Sequence, residues 1–217
     1  MPVCYIFGAL PVAHLPEKQP GDLLIAADAG LSRLHGLTPD LAVGDFDSLG
    51  YVPEGVPVLR HPVRKDDTDT LLAVREGLER GYRRFVLLGA SGGRLDHTLA
   101  NLQVLQFLAD RGARGFLQGD TDCAAVVSGE TLCLSGGTGR VSVFALAASV
   151  SGVTLSGLDY PLCDATLSDR FPLGVSNAFL PGQTARVTVA GGRLLAVWDG
   201  DWRQAAYTDT GAAPVSP

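Results

Sequence analysis

Hydrophobic residues in the first half of the chain occur in short continuous runs, separated by segments with helical periodicity. Such runs are typical of strands buried on both faces of a sheet. They predict strands at Val3–Phe7, Leu23–Ala27, Leu41–Val43, Val56–Leu59, Phe85–Leu88 and Gly115–Gln118. Between these strands the periodicity predicts helices over Ala29–His35, Asp67–Arg80 and Leu95–Arg111. This alternation predicts an α/β fold built on a parallel sheet, which we assign to residues 1–122.

The pattern changes after residue 122, where helical periodicity ends and Gly and Ser separate short β-rich runs. The runs predict strands at Ala124–Val127, Val141–Ala145, Val153–Leu155, Ala185–Val189 and Leu194–Trp198. We therefore expect a smaller all-β sandwich domain at residues 123–207, with Trp198 in its core. Residues 208–217 are small, polar and contain Pro, so we expect a disordered tail there.

Composition narrows the possible functions. The 217 residues carry a net charge of −6 and no run of Lys or Arg, so we expect no nucleic-acid binding. An acidic protein that binds polyphosphate normally recruits a divalent metal to offset charge repulsion. No stretch is long enough to span a membrane, and the apolar N-terminus lacks the basic segment of a signal peptide. The cysteines lack zinc-site spacing, so we expect thiols in a reducing cytoplasm.

A first acidic cluster follows the predicted strand at Leu41–Val43. Asp45 and Asp47 are separated by one residue, so two carboxylates can share a metal ion, or one can bind it while the other orients it. Gly44 allows the backbone to approach a ligand closely. An acidic turn whose Asp side chains bind local N–H groups explains the pattern equally well.

A second acidic cluster lies at the start of the predicted helix Asp67–Arg80. Asp66, Asp67 and Asp69 bring three carboxylates within four positions, with Thr68 between two of them. Asp or Thr in a first helical turn is ordinary capping. One cap needs only one such residue, however, and three carboxylates repel one another. A bound cation, or Lys65 together with Arg64, would relieve that repulsion.

A third cluster joins the strand Phe85–Leu88 to the following helix. Gly92 and Gly93 precede Arg94, and a glycine loop that enters a helix is an anion-binding arrangement. The Arg94 guanidinium adds a charged fork for phosphate oxygens. Asp96 either positions metal-bound water or acts as a base, and His97 either caps the helix or takes part in catalysis. Together the three clusters predict a magnesium–nucleotide enzyme.

The order and spacing of six motifs resemble the thiamine pyrophosphokinase (thiamine diphosphokinase) family over nearly the whole chain. They are Ala27-Asp28-Ala29-Gly30, Pro39-Asp40-Leu41 followed by Gly44-Asp45-Phe46-Asp47-Ser48, Lys65-Asp66-Asp67-Thr68-Asp69, Gly92-Gly93-Arg94-Leu95-Asp96-His97-Thr98-Leu99-Ala100-Asn101, Gly157-Leu158-Asp159-Tyr160-Pro161-Leu162 and Gly174-Val175-Ser176-Asn177. Two positions depart from the family pattern. Ala29 stands where the family usually has Gly, and Ala178 stands where it usually has an acidic residue.

The resemblance implies transfer of pyrophosphate from ATP to the hydroxyethyl group of thiamine, giving thiamine diphosphate and AMP. It also implies a cytoplasmic homodimer, with thiamine between the nucleotide domain of one subunit and the β domain of the other. The expected Mg²⁺ ligands are Asp45, Asp47, Asp66, Asp67 and Asp69. The expected nucleotide-binding residues are Asp28, Gly44, Asp45, Ser48, Thr68, Gly92, Gly93, Arg94 and His97. The expected catalytic residues are Asp47, Asp69, Arg94 and Asp96, and the expected thiamine-binding residues are Tyr160, Ser176 and Asn177.

Two alternatives come from other functional classes. A Mg²⁺-dependent phosphatase of the Asp-x-Asp type would use Asp45 as a covalent nucleophile and Asp47 as its acid–base partner. That hypothesis explains the first cluster and gives the second half of the chain no role. A non-catalytic regulator that binds nucleotide or thiamine would keep the binding sites without turnover.

Overall fold

The chain forms two compact units. The computed structural model describes residues 1–47, 49–60 and 67–210. The first unit is Met1–Asp120, and the second begins at Thr121. The first strand of the second unit begins at Asp122, where the sequence pattern loses its helical periodicity. None of the described helices is both long and apolar enough to cross a membrane.

A parallel sheet forms the core of the first unit. Its strands are β1 (Cys4–Phe7), β2 (Leu23–Ala27), β3 (Leu41–Gly44), β4 (Val58–Arg60), β5 (Arg84–Leu88) and β6 (Arg114–Gln118). They lie in the order β6-β5-β1-β2-β3-β4. Because β1 pairs with both β2 and β5, the strand order reverses direction there. In such sheets ligands bind beyond the carboxyl ends of the strands.

Two α-helices and a 3-10 helix connect these strands. Helix α1 (Asp69–Glu79) begins at Thr68, whose hydroxyl accepts a hydrogen bond from the Leu71 N–H at 3.2 Å. Helix α2 (Leu95–Ala109) follows β5. A 3-10 helix at Asp28–Arg33 takes the place of the short helix predicted over 29–35. Its packing is tight, because a Cβ at Gly30 would overlap the carbonyl oxygen of Phe7.

Two antiparallel sheets form the second unit. One runs in the order β12-β9-β14-β7 and the other in the order β11-β10-β13-β8-β15. The strands are β7 (Asp122–Val127), β8 (Glu130–Leu134), β9 (Arg140–Ala145), β10 (Val150–Ser156), β11 (Leu162–Leu167), β12 (Asn177–Ala178), β13 (Ala185–Thr188), β14 (Leu194–Asp199) and β15 (Ala205–Asp209). A 3-10 helix, Trp202–Gln204, precedes β15. Trp198 is buried in the core, as predicted. A parallel-sheet unit followed by an antiparallel two-sheet unit confirms the predicted fold class.

Some strands of the second unit differ from the prediction. The pattern did not predict β8, β11, β12 or β15. In β11 only Leu167 is buried, and Asp164 and Thr166 interrupt the apolar residues, so the segment has no continuous apolar run to detect. The disordered tail was predicted from residue 208, but β15 extends to Asp209, where it pairs with β8. Residues 211–217 lie outside the described part of the chain.

Candidate active site

Three carboxylates converge at one edge of the parallel sheet. Asp28 follows β2, while Asp45 and Asp47 follow β3, and oxygen atoms of all three lie within 4.8 Å of one another. Strands β2 and β3 pair in parallel with Ala27 opposite Val43. The residues that follow the two strands are therefore neighbours. We call Asp28, Asp45 and Asp47 the acidic group.

The backbone around the acidic group has unusual conformations. Gly44 has a φ of +155°, and a Cβ there would lie 3.1 Å from the Cβ of Asp28. Glycine therefore allows β3 to end directly against Asp28. Phe46 has a φ of +62° and is 2% exposed, so its ring anchors the turn in the core. The N–H of Asp47 donates to Oδ1 of Asp45 at 3.1 Å, which orients that carboxylate.

Asp28 has the most constrained carboxylate of the group. Its side chain is buried, and Oδ1 has no hydrogen-bond partner among the residues that the structure describes. A buried carboxylate oxygen without a donor is unfavourable, and two further carboxylates nearby add repulsion. A hard divalent cation with oxygen ligands fits this donor set. Asp28 was predicted to bind nucleotide and was not among the predicted metal ligands.

The second cluster does not join the acidic group in the described residues. Thr68 caps α1, and Asp69 lies in its first turn. Asp67 forms an ion pair with Arg75, with Nε and Oδ2 3.2 Å apart. Neither Asp67 nor Asp69 lies within the 4.8 Å grouping that unites the three carboxylates. Two residues of the prediction, Ser48 and Asp66, lie outside the described residues.

The glycine loop between β5 and α2 is held by side chains of α2. Gly92 and Gly93 have φ values of +86° and +60°. The N–H of Gly92 donates to Oγ1 of Thr98 at 3.1 Å. The buried amide of Asn101 donates from Nδ2 to the carbonyl oxygen of Ala90 at 2.7 Å. Asn101 was not among the predicted site residues, because a contact with a residue eleven positions away leaves no pattern in the local sequence.

Arg94 and Asp96 form an exposed ion pair at the start of α2. Their Nη2 and Oδ2 atoms lie 2.6 Å apart, and Nε donates to Oδ1 at 3.1 Å. The hydrogen bond from Arg94 lowers the pKa of Asp96 below its ordinary value, with a further contribution from the His97 N–H. The same pairing raises the pKa of Arg94. Asp96 accepts from the backbone of His97 at 3.0 Å.

An apolar pocket opens in the second unit. Its volume is about 360 Å³. Nine residues line it: Leu155, Tyr160, Leu162, Phe171, Pro172, Leu173, Gly174, Val175 and Asn177. Tyr160 is 68% exposed and Phe171 is 67% exposed, so both rings are available to a ligand. A pocket of this size, with aromatic walls and few polar groups, is typical of a small-molecule site.

The predicted pair Ser176 and Asn177 separates into two different environments. Asn177 is 3% exposed, and its side-chain amide binds the backbone of Tyr160. Ser176 is exposed, has a φ of +57°, and donates its N–H to the Ser142 hydroxyl at 3.0 Å. The structure therefore brings Tyr160 and Asn177 together at the pocket. Ser176 precedes Asn177 in the chain and is not among the residues that line the pocket.

Comparisons with known proteins give a consistent result. Residues 17–117 match the domain family described as "Thiamin pyrophosphokinase, catalytic domain", which spans the acidic group and the glycine loop. Residues 135–194 match "Thiamin pyrophosphokinase, vitamin B1 binding domain", which includes every residue that lines the pocket.

Individual relatives agree with the domain matches. A thiamine pyrophosphokinase from Bacillus subtilis (strain 168) is 36% identical over 91 residues, which are 38% of this chain and 42% of that protein. The crystal structure of thiamine pyrophosphokinase from Bacillus subtilis has the same fold, with a TM-score of 0.80 at 23% identity, covering 93% of this chain and 100% of that one. The crystal structure of the Geobacillus thermodenitrificans thiamin pyrophosphokinase has a TM-score of 0.78 at 26% identity, covering 94% and 100%. With both domains of the family present in order, the chain belongs to the thiamine pyrophosphokinase family.

Proposed function

We propose that this protein transfers a pyrophosphate group from ATP to the hydroxyethyl oxygen of thiamine, giving thiamine diphosphate and AMP. The observation that carries the proposal is the acidic group, which lies inside the region that matches the family's catalytic domain. Three carboxylates at the carboxyl edge of a parallel sheet suit a magnesium–polyphosphate substrate. The β unit supplies a separate pocket for the acceptor.

In this proposal Asp28, Asp45 and Asp47 hold Mg²⁺. The oxygen-only donor set and the unpartnered Oδ1 of Asp28 support this assignment. Bound Mg²⁺ neutralises polyphosphate charge and makes the β-phosphorus more electrophilic. Asp67 and Asp69 remain predicted ligands, as does Asp66. The ion pair of Asp67 with Arg75 has to rearrange if Asp67 is to bind a metal.

The glycine loop and Arg94 bind the polyphosphate of ATP. The bonds from Thr98 and Asn101 hold the loop in one conformation, so little ordering is needed when phosphate binds. The lowered pKa of Asp96 makes this carboxylate a poor base. We therefore assign Asp96 the role of orienting Arg94. Transfer then depends mainly on positioning and on neutralising charge.

The apolar pocket of the β unit binds thiamine. Its aromatic walls, Tyr160 and Phe171, suit a cationic heteroaromatic ring. Ser176 offers an exposed hydroxyl next to the pocket residue Asn177. The phosphatase hypothesis does not explain why one chain carries both a phosphate-binding edge and this pocket, whereas the regulator hypothesis keeps both sites and differs in predicting no turnover.

We further propose that the enzyme works as a homodimer in the cytoplasm. Exposed apolar side chains on the β unit, among them Phe144 and Phe171, support association of two copies. The thiols Cys4, Cys123, Cys133 and Cys163 form no disulfides, which suits a reducing compartment. Light scattering after size-exclusion chromatography tests the dimer, and a mass near the 22.7 kDa of one chain would contradict it.

A product assay tests the main proposal. The purified protein is incubated with ATP, Mg²⁺ and thiamine, and the products are separated by chromatography. We expect thiamine diphosphate and AMP in equal amounts. Free phosphate as the only product would support the phosphatase, and unchanged ATP in the presence of bound ligand would support the regulator.

A further inference from the structure

Three hydrogen bonds hold the side chain of Asn177 within the protein itself. Its Oδ1 accepts hydrogen bonds from the N–H groups of Tyr160 and Ala178, each at 2.9 Å. Its Nδ2 donates to the carbonyl oxygen of Tyr160 at 2.7 Å. The side chain is also buried, with 3% of the residue exposed. Asn177 therefore has little capacity left to hydrogen-bond a ligand.

These bonds fix the backbone of Tyr160 on both sides of its Cα. The N–H and the C=O of Tyr160 both bind the same amide, 17 residues further along the chain. The preceding segment is also tied down, because the Asp159 N–H donates to the Ala178 carbonyl at 3.0 Å. The Tyr160 ring, by contrast, remains exposed at the wall of the pocket. An exposed ring on a fixed backbone needs less ordering when a ligand stacks on it than a ring on a flexible backbone does.

We infer that Asn177 is a positioning residue that sets affinity for the acceptor by holding Tyr160 at the pocket wall, without contacting the acceptor. The inference rests on the proposed function and identifies which residue of the pair touches the substrate. The acceptor class is a cationic heteroaromatic ring, which Tyr160 can stack against. It changes the role expected for Asn177 from direct binding to support.

A double-mutant cycle separates support from direct contact. The variants are Tyr160→Ala, Asn177→Ala and the double variant, each assayed for KM with thiamine and KM with ATP. We expect each single change to raise the KM for thiamine by about tenfold, the size of one aromatic contact, while the KM for ATP stays within about twofold. If Asn177 acts through Tyr160, removing Asn177 from the Tyr160→Ala protein has little further effect.

Other outcomes of the cycle would overturn the inference. Multiplicative effects of the two changes would show that Asn177 binds the acceptor itself. An unchanged KM for thiamine in Asn177→Ala would show that Asn177 neither positions Tyr160 nor binds the acceptor. Thr131→Val is the matched control, because it removes a buried hydrogen bond to Thr188 in the same unit without touching the pocket lining. A similar rise in the KM for thiamine in Thr131→Val would show that the effect of Asn177→Ala comes from general destabilisation of the unit.

A second measurement keeps the inference independent of folding and of turnover. Asn177→Leu keeps a branched side chain of similar shape and removes the acceptor of the Tyr160 N–H, so it serves if Asn177→Ala fails to fold. Amide hydrogen exchange at Tyr160 should become at least about tenfold faster in Asn177→Leu, with exchange at β8 unchanged. Unchanged exchange at Tyr160 would refute the positioning role. A wild-type protein that makes no thiamine diphosphate would refute the proposed function instead.

Discussion

Arg94 and Asp96 form a two-point ion pair at the entrance to α2, with their closest atoms 2.6 Å apart. This pair keeps Asp96 charged throughout the neutral pH range. Because Arg94 lowers the pKa of Asp96, the carboxylate is ionised above its ordinary value of about 3.9, and the pair is lost only as pH falls through the lowered pKa. Asp96 therefore stays charged from pH 5 to pH 9.

Replacing Asp96 by Asn should lower kcat/KM without changing the shape of the pH profile. We expect a fall of about ten- to a hundredfold, because Arg94 loses its orienting partner. The measurement is kcat/KM for ATP between pH 5 and pH 9. A limb of the wild-type profile that disappears in Asp96→Asn would instead identify Asp96 as the base. Asp201→Asn is a matched control, since Asp201 forms the same two-point pair with Arg203 in the other unit.

Removing the buried charge of Asp28 should stabilise the metal-free protein and lower its activity. We expect Asp28→Asn to raise the free energy of unfolding without metal by about 1 kcal/mol, because it relieves repulsion around an unpartnered oxygen. Asn also tolerates the φ of +44° at this position. Activity should fall by about 10²-fold or more. The measurement is thermal unfolding with and without Mg²⁺.

The response to Mg²⁺ decides this prediction. Wild-type protein should be stabilised by millimolar Mg²⁺, and Asp28→Asn should not. An equal Mg²⁺-dependent rise in unfolding temperature in both proteins would show that Asp28 is not a metal ligand. Asp120→Asn, a change of an exposed carboxylate in the same unit, should keep the wild-type response.

Replacing Gly44 by Ala should damage the acidic group through the backbone. An added Cβ would lie 3.1 Å from the Asp28 Cβ and 3.3 Å from its backbone nitrogen, at a φ that disfavours Ala. We expect a loss of about 1–3 kcal/mol in stability and a large loss of Mg²⁺-dependent activity. Gly36→Ala is the control, because Gly36 also has a positive φ but has no neighbouring atoms within 4 Å. Gly36→Ala should lose stability but keep Mg²⁺-dependent activity. Equal losses of activity in Gly36→Ala and Gly44→Ala would contradict the claim that a Cβ at residue 44 displaces Asp28.

Replacing Asn101 by Ala should loosen the glycine loop. The change leaves the carbonyl oxygen of Ala90 without its buried donor, which costs about 1–3 kcal/mol. We expect the KM for ATP to rise by about tenfold and the KM for thiamine to stay unchanged, measured by steady-state kinetics. Gln103→Ala, on the exposed face of α2, is the control. A rise in the KM for thiamine alone would contradict the role assigned to the loop.

Continuous hydrophobic runs made the parallel sheet predictable. Leu23–Ala27 was predicted with the bounds that β2 has, because a strand buried on both faces needs apolar side chains at every position. The capping of α1 by Thr68 also followed from local chemistry. Strand β11 was not predictable in this way, because Asp164 and Thr166 interrupt its apolar residues and only Leu167 is buried.

Contacts between distant segments account for what the sequence left open. Asp28 lies close to Asp45 because β2 and β3 are adjacent in the sheet. Local periodicity predicts strands but not their order, so this proximity could not be predicted. For the same reason the bonds between the Asn177 amide and the Tyr160 backbone, 17 residues apart, could not be predicted from local sequence. The spacing of residues 66–69 suggested one metal cluster, whereas Asp67 pairs with Arg75 eight residues further along the helix.

The central claim is that one step moves the β- and γ-phosphates of ATP together to thiamine. The most direct measurement uses ATP that carries a radioactive label on its β-phosphate, with thiamine and Mg²⁺. We predict that the label appears in thiamine diphosphate, with unlabelled AMP formed in equal amount and no ADP. Label that remains in ADP, or thiamine monophosphate as an early product, would contradict pyrophosphate transfer and indicate successive single-phosphate steps.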